Sequence, residues 1–249
     1  MSNFSITLNS ADQDNTSDYT TYFANPIELK GLQYQISMTS LNTSYSWYNV
    51  SAADGNNIFK YSNGIIDRLL VLDDGVYSFI ELVDEIHDMM IILGDYTILN
   101  SIPTFNLDFK LDLADAHTSL ILSNSYTVNF TDVLIRNIFG FNSQIYLTTT
   151  LSERRSDITN GFSSIYVHLN IISGSYINGN PTDVVATFSA NGQENQEILI
   201  LPDSTRFLPI NNRSQINNIR IYLTDNKNKL INLNGFPLKA EFIAIPILQ

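Results

Sequence analysis

The closing third of the chain constrains the fold more than any other stretch. Residues 219–225 and 238–244 each alternate apolar with polar side chains, and a period of two is typical of a strand that buries one face of a sheet. Between them, residues 225–229 (Asp-Asn-Lys-Asn-Lys) supply side chains that bond to their own backbone and favour a turn. Pro246 suits the end of a strand, because it cannot donate to a ladder. We therefore expect the chain to close with two strands of a sheet.

Similar patterns predict strands along the rest of the sequence. Alternation is clear at residues 4–8, 33–42, 105–113 and 166–171. Shorter apolar stretches predict further strands at residues 47–50, 58–61, 120–122, 198–201 and 206–209. We interpret residues 42–44 as a turn, Asp54-Gly55 as a hairpin turn and the polar segment 10–21 as a long loop.

Two segments break the β pattern and predict helices. Ser78 and Glu81 have the spacing of a capping box, in which each side chain binds the other residue's backbone amide. Apolar residues then recur on one helical face until Gly94, which predicts a helix of about four turns. A second, shorter helix is expected after Thr131 as its N-cap, with Gly140 as its stop.

Many short strands with only two helices favour an all-β fold, specifically a single jelly-roll sandwich of antiparallel strands with one or two short helices in the connections. A parallel α/β sheet would need a helix after almost every strand. No low-complexity linker and no repeat of fixed period divides the sequence. We therefore expect one domain, residues 1–249.

Composition excludes several classes of function. The sequence has no cysteine, which excludes disulfides, thiol nucleophiles and Cys-ligated metals. No stretch approaches the roughly 20 apolar residues of a membrane span, and the N-terminus has no secretory-signal pattern. The net charge of −12 repels a phosphate backbone, and the two small basic clusters, 153–155 and 227–229, are interpreted as solvated loops, so no direct nucleic-acid binding is expected.

We predict no catalytic, cofactor-binding or metal-binding residues. Of the three histidines, none lies in a recognisable motif, and His168, in the middle of a strand, is explained by a polar strand face. The acidic face of the first helix, which includes His87, is interpreted as solvated. Asp73-Asp74 beside a glycine is interpreted as a turn. Asp12, Asp14, Asn15 and Asp18 offer oxygen ligands, but their loop lacks the Gly and the closing Glu of an EF-hand.

Several short motifs follow one another along the chain. They are Trp47-Tyr-Asn-Val50, Asp74-Gly-Val-Tyr-Ser-Phe-Ile-Glu-Leu82, Ile135-Arg-Asn-Ile-Phe-Gly-Phe141, Ser164-Ile-Tyr-Val-His-Leu-Asn-Ile-Ile172, residues 219–225 and the stretch from Gly235. Taken in this order, they resemble the penton (vertex, or minor capsid) proteins of virophages and Polinton-like viruses. The resemblance covers most of the chain, and the order of the motifs is what carries it.

The resemblance implies a structural, non-enzymatic protein of the virion, without cofactor. It implies a homopentamer at each vertex of an icosahedral shell, assembled in the host cell beside a major capsid protein of double jelly-roll type. In such a ring, the loops 10–21 and 178–182 are expected to contact neighbouring subunits, with a ring that is weak in dilute solution.

Two other classes of function stay open at this point. A carbohydrate-binding or receptor-binding jelly-roll module of a fibre or spike would need exposed aromatic residues, which Tyr45, Trp47 and Tyr48 offer in sequence. An enzyme built on a sandwich, such as a polysaccharide lyase or hydrolase, would need an acid–base constellation that the sequence does not show.

Overall fold

The structure, a computed structural model, describes residues 2–11, 16–159, 161–190, 196–202 and 205–247. The chain divides into two compact units. Unit 1 comprises residues 1–47 and 162–249, and unit 2 comprises residues 48–161. The expected single domain over residues 1–249 stays a prediction.

The elements follow in chain order. Unit 1 begins with β1 (Phe4–Asn9), β2 (Asp18–Glu28) and β3 (Tyr34–Ser44). Unit 2 contains β4 (Ile58–Ser62), β5 (Asp67–Val71), α1 (Phe79–Ile92), β6 (Thr97–Leu99), β7 (Ile102–Thr104), β8 (Leu107–Leu111), β9 (His117–Leu122), β10 (Thr127–Asn129), α2 (Arg136–Phe139), β11 (Ile145–Tyr146) and β12 (Thr150–Arg155). Unit 1 resumes with β13 (Ser164–Leu169), β14 (Ser175–Ile177), β15 (Asn180–Thr182), β16 (Val184–Ser189), β17 (Glu197–Ile200), β18 (Leu208–Pro209), β19 (Gln215–Asp225) and β20 (Lys239–Pro246).

Unit 1 consists mainly of two antiparallel sheets. One has the order β1-β20-β3-β17, with β18 also pairing with β3, and the other has the order β16-β13-β19-β2. The predicted alternation in the closing third is confirmed, because Ile219, Ile221 and Leu223 are fully buried in β19 and Ala240 and Ala244 are fully buried in β20. Burial of one apolar row per strand is what holds each sheet to the core.

The turn between these two strands also forms as predicted. The Asp225 carboxylate accepts hydrogen bonds from the backbone amides of Lys227 (2.7 Å) and Lys229 (2.8 Å). Asn228 takes a left-handed backbone, φ 61°, which asparagine tolerates better than most residues. One carboxylate therefore organises the whole turn.

Unit 2 has two further antiparallel sheets, with the orders β11-β10-β4-β5 and β12-β9-β8. Its core contains a cluster of aromatic rings, in which Phe109 stacks on Phe139 with 4.3 Å between ring centroids and Phe130 stacks on Phe141 at 5.3 Å. Leu82 and Ile86 of α1 belong to the same buried cluster.

The predicted first helix is confirmed down to its cap. The Ser78 amide donates to the Glu81 carboxylate (2.7 Å), and the Glu81 amide donates to the Ser78 hydroxyl (3.2 Å). These hydrogen bonds hold the pKa of Glu81 below its ordinary value. Leu82, Val83, Ile86 and Met90 form the buried face of α1. Gly94 follows the helix with φ 75°, so the predicted stop is also correct.

The prediction of Thr131 as the cap of the second helix is wrong. Helix α2 is only the four residues Arg136–Phe139, and its N-cap residue, Ile135, makes no side-chain capping bond. Asp132 has φ 56°, a left-handed conformation that cannot continue a right-handed helix from Thr131. Gly140 does end α2, with φ 80°.

Two predictions near residue 47 are also wrong. Residues 42–44 do not turn but continue β3, because Asn42, Thr43 and Ser44 pair with β17. Residues 47–50 do not form a strand, apart from an isolated bridge between Val50 and Gly75. The turn around Asp54-Gly55 exists. It is not a hairpin turn, because no strand lies directly before it to pair with β4.

The predicted loop over residues 10–21 is too long. Strand β2 begins at Asp18, which pairs with Tyr222 of β19. β2 lies at a sheet edge, and only one of its residues is buried, so it lacks the apolar period that reveals a half-buried strand. Asp12, Asp14 and Asn15 lie outside the described residues.

The predicted fold class is confirmed in its secondary structure. Strands make up most of the regular structure of the described residues, which contain two helices, and the described strand pairs are antiparallel. Both helices lie in connections between strands, as expected for an all-β protein.

Candidate functional site

The three histidines make structural contacts rather than a common site. His87 stacks on Phe105 with 3.9 Å between ring centroids, and its Nε2 lies 3.1 Å from the Leu107 carbonyl oxygen. His117 Nδ1 lies 2.9 Å from the carbonyl oxygen of Ser152. These contacts fix loops and strand ends within unit 2.

His168 lies among polar residues, as a polar strand face predicts, but it is not exposed to solvent. Its side chain is buried, with Nδ1 2.6 Å from the Asp183 carboxylate and Nε2 2.8 Å from the Thr224 hydroxyl. The Tyr222 ring covers it at 4.2 Å and donates its hydroxyl to the same carboxylate (2.9 Å). A buried polar group needs such partners.

Arg220 extends this arrangement along β19. Its guanidinium lies 4.6 Å from the centre of the Tyr222 ring and binds the Asp18 carboxylate through two hydrogen bonds of 2.7 Å. Burial and the Asp183 carboxylate raise the pKa of Tyr222 to about 12. We name Asp18, Arg220, Tyr222, His168 and Asp183 the β19 stack. Each of its groups already has a partner within the protein. The β19 stack therefore serves to hold β19 to the neighbouring strands β2 and β13.

A second polar cluster surrounds Asp95 in unit 2. This buried carboxylate accepts hydrogen bonds from Tyr61 (2.7 Å), Asn63 (2.6 Å) and Arg68 (2.8 Å). Burial alone would raise the pKa of Asp95, but these hydrogen bonds and the Arg68 charge outweigh it and leave the pKa below its ordinary value. Asp95 therefore ties the segment that follows α1 to strands β4 and β5.

Metal ligands do not converge in the described part of the chain, where no three His, Asp or Glu side chains form a group that could hold an ion. Of the four candidate oxygen ligands in the polar loop, only Asp18 lies in the described residues, and Arg220 binds it. Asp74 lies at a bend, not in a hydrogen-bonded turn, and accepts a hydrogen bond (2.6 Å) from the Ala52 amide, 22 residues earlier in the chain. Neither described helix is long and apolar enough to cross a membrane.

The aromatic triplet near residue 47 cannot serve as a sugar platform. Tyr45 and Trp47 are buried and lie 4.4 Å apart, and Trp47 also packs on Phe162. Tyr48 is 41% exposed. A stacking surface for a glycan needs ring faces that are open to solvent, so burial removes the observation that favoured a carbohydrate-binding module.

The exposed surface contains two small hairpins that sequence reasoning described incompletely. Strands β14 and β15 form one of them, so the expected contact loop 178–182 is a hairpin rather than an irregular loop. Strands β6 and β7 form the other, which was missed. The signal that could have found it is Asn100-Ser101 between short apolar pairs, since both residues adopt positive φ.

No protein-family model and no curated protein matches the sequence. Among solved structures, the chain is similar to the crystal structure of the mavirus penton protein, with a TM-score of 0.55, 10% identity and coverage of 99% of this chain and 100% of that one. It is also similar to a chain of the Sputnik virophage structure solved by cryo-electron microscopy, with a TM-score of 0.47, 13% identity and coverage of 98% and 97%. The likeness to the penton protein extends over both chains from end to end, and it confirms the predicted jelly-roll class of fold.

Proposed function

We propose that the protein is a structural capsid subunit, the penton that occupies the vertices of an icosahedral virion. The observation that carries this proposal is the shared fold with the mavirus penton protein across the whole length of both chains. The polar clusters add support, because the β19 stack and the Asp95 cluster have their groups engaged within the protein. Such saturated networks rigidify a subunit rather than bind a substrate.

The finer features of the proposal follow from the same likeness and from the sequence resemblance. The protein is a homopentamer, it contacts a major capsid protein of double jelly-roll type, and it has no enzymatic activity. It assembles into the vertex within the host cell, and both units fold together as one jelly-roll domain. With 25 acidic residues against 13 Lys and Arg, its contacts are with protein rather than nucleic acid.

Sedimentation velocity over a series of concentrations tests the assembly. A penton held by a modest interface should be monomeric when dilute and shift toward pentamer as concentration rises, because ring closure depends on mass action. A dimer or trimer that persists at every concentration would contradict the penton proposal. A persistent trimer would instead favour a fibre head or a major capsid subunit.

A further inference from the structure

The β6–β7 hairpin is an apolar element that does not extend any other described sheet. Ile98, Leu99 and Ile102 are 68%, 62% and 63% exposed. Leu99 pairs with Ile102 and Ile98 pairs with Pro103, so apolar side chains lie on both faces of the hairpin. Single exposed apolar residues are ordinary, whereas several together mark a contact surface.

The hairpin is built to keep its shape while exposed. Asn100 and Ser101 have φ 51° and 66°, which is the type I′ turn that matches strand twist. At the other end, the hydroxyls of Thr97 and Thr104 lie 2.8 Å apart and share a hydrogen bond. Pro103 has no amide to offer, which protects the outer edge of β7 from strand addition.

Charge limits what the hairpin can contact. Unit 2 carries fifteen Asp and Glu against six Lys and Arg, yet residues 96–107 contain no charged side chain. Two copies of this acidic unit repel each other except where their surfaces are uncharged. The hairpin is therefore a part of unit 2 that a second copy can approach without opposing charge.

A second exposed surface with apolar side chains exists on the same unit. Strand β5 is the last strand of its sheet, and its residues Leu69 and Val71 are 57% and 53% exposed. Because Leu72 donates its amide to Asn57 beside β4, strand alternation turns the amides of Leu69 and Val71 toward the open edge. We call this surface the β5 edge.

We propose that the β6–β7 hairpin of one copy packs on the β5 edge of the next copy. This inference rests on the proposed function, because a ring needs a heterologous contact between two different patches of each subunit. The hairpin and the β5 edge supply two such patches, one a compact apolar element and the other an open strand. A partner with a basic surface would fit the carboxylates of unit 2 instead.

The β14–β15 hairpin provides a matched control. It has the same register, with Tyr176 opposite Pro181 as Ile98 is opposite Pro103. Tyr176 is 65% exposed. A cysteine at Tyr176 therefore has nearly the reach and exposure of a cysteine at Ile98, on a hairpin that the proposal leaves out of this contact.

The absence of native cysteine allows a direct test by disulfide formation. Full-length Ile98→Cys and Leu69→Cys variants are mixed at high concentration with oxidised glutathione, and the disulfide-linked peptides are counted by mass spectrometry. We expect at least about tenfold more linkage to Leu69→Cys from Ile98→Cys than from Tyr176→Cys, because an interface raises the effective concentration of the two thiols. Equal linkage from both hairpins, or none, would overturn the inference.

Sedimentation of the unmodified chain distinguishes failure of the proposed hairpin contact from failure of the proposed pentamer. If the chain forms pentamers but the two hairpins link equally, another surface or another occupant covers the hairpin, and only this inference fails. If the chain does not associate and no selective linkage forms, the inference and the proposed pentamer both fail. Selective linkage with pentamer formation supports both.

Discussion

Gly140→Ala is expected to lower the free energy of unfolding by about 2–5 kcal/mol, because two separate costs meet at this residue. The Gly140 backbone is left-handed, with φ 80°, which costs an L-residue about 1–2 kcal/mol. A Cβ at this position would also lie 2.1 Å from the Arg154 carbonyl oxygen. The Arg154 amide donates to the Gly140 carbonyl (2.9 Å), so that strand cannot withdraw freely, and overpacking of this kind costs about 1–3 kcal/mol more.

Gly94→Ala is the matched control for this prediction. Gly94 has φ 75°, but no atom lies within 4 Å of its hypothetical Cβ, so only the backbone cost of about 1–2 kcal/mol remains. Urea unfolding followed by circular dichroism gives both free energies under the same conditions. Equal losses in the two variants would show that the approach of Arg154 to Gly140 does not restrict the side chain there, and would refute the reasoning.

Three further predictions test burial and charge. Leu82→Ala should lower the free energy of urea unfolding by about 2–5 kcal/mol, because Leu82 is fully buried. Asp88→Ala, on the exposed face of α1, should change it by less than about 0.5 kcal/mol. Equal effects of the two substitutions would contradict the packing of the helix. Because the pKa of Asp95 is lowered in the folded protein, the contribution of Asp95 to stability is complete at neutral pH and is lost as pH falls below about 4. Asp95→Asn should therefore flatten the acid side of the curve of unfolding free energy against pH. An unchanged curve would argue against the Asp95 cluster. Because the folded pKa of Tyr222 is raised to about 12, the contribution of Tyr222 to stability is present below about pH 10 and lost as pH rises toward 12. Burial also raises the pKa of Tyr19 and Tyr61, so ultraviolet titration should show several late-ionising tyrosines, of which Tyr222→Phe removes one that ionises near pH 12.

Local signals predicted the first helix and ten of the twenty described strands. The Ser78 and Glu81 capping box depends on residues three positions apart, and it formed as expected. The strands of the closing third bury one face, so their alternation is visible in sequence. Predictions failed where the backbone conformation departs from the one that the local pattern favours. At Asp132, a left-handed conformation breaks the expected helix. Edge strand β2 was missed because few of its residues are buried.

The polar clusters could not be predicted, because their members are distant in sequence. Arg220 and Asp18 are 202 positions apart, and His168 and Thr224 are 56 apart. Only the pairing of β19 with β2 and β13 brings these residues together. Likewise, an aromatic triplet such as Tyr45-Ser-Trp47-Tyr48 does not reveal in sequence which rings the core will cover.

The symmetry of the assembled protein is the most direct test of whether it is a penton. Negative-stain electron microscopy of the purified chain at high concentration, with class averages computed without imposed symmetry, reports the number of subunits in a ring. We expect rings with fivefold symmetry, because penton subunits close a ring at a vertex through one repeated heterologous contact. Averages with twofold or threefold symmetry would contradict it.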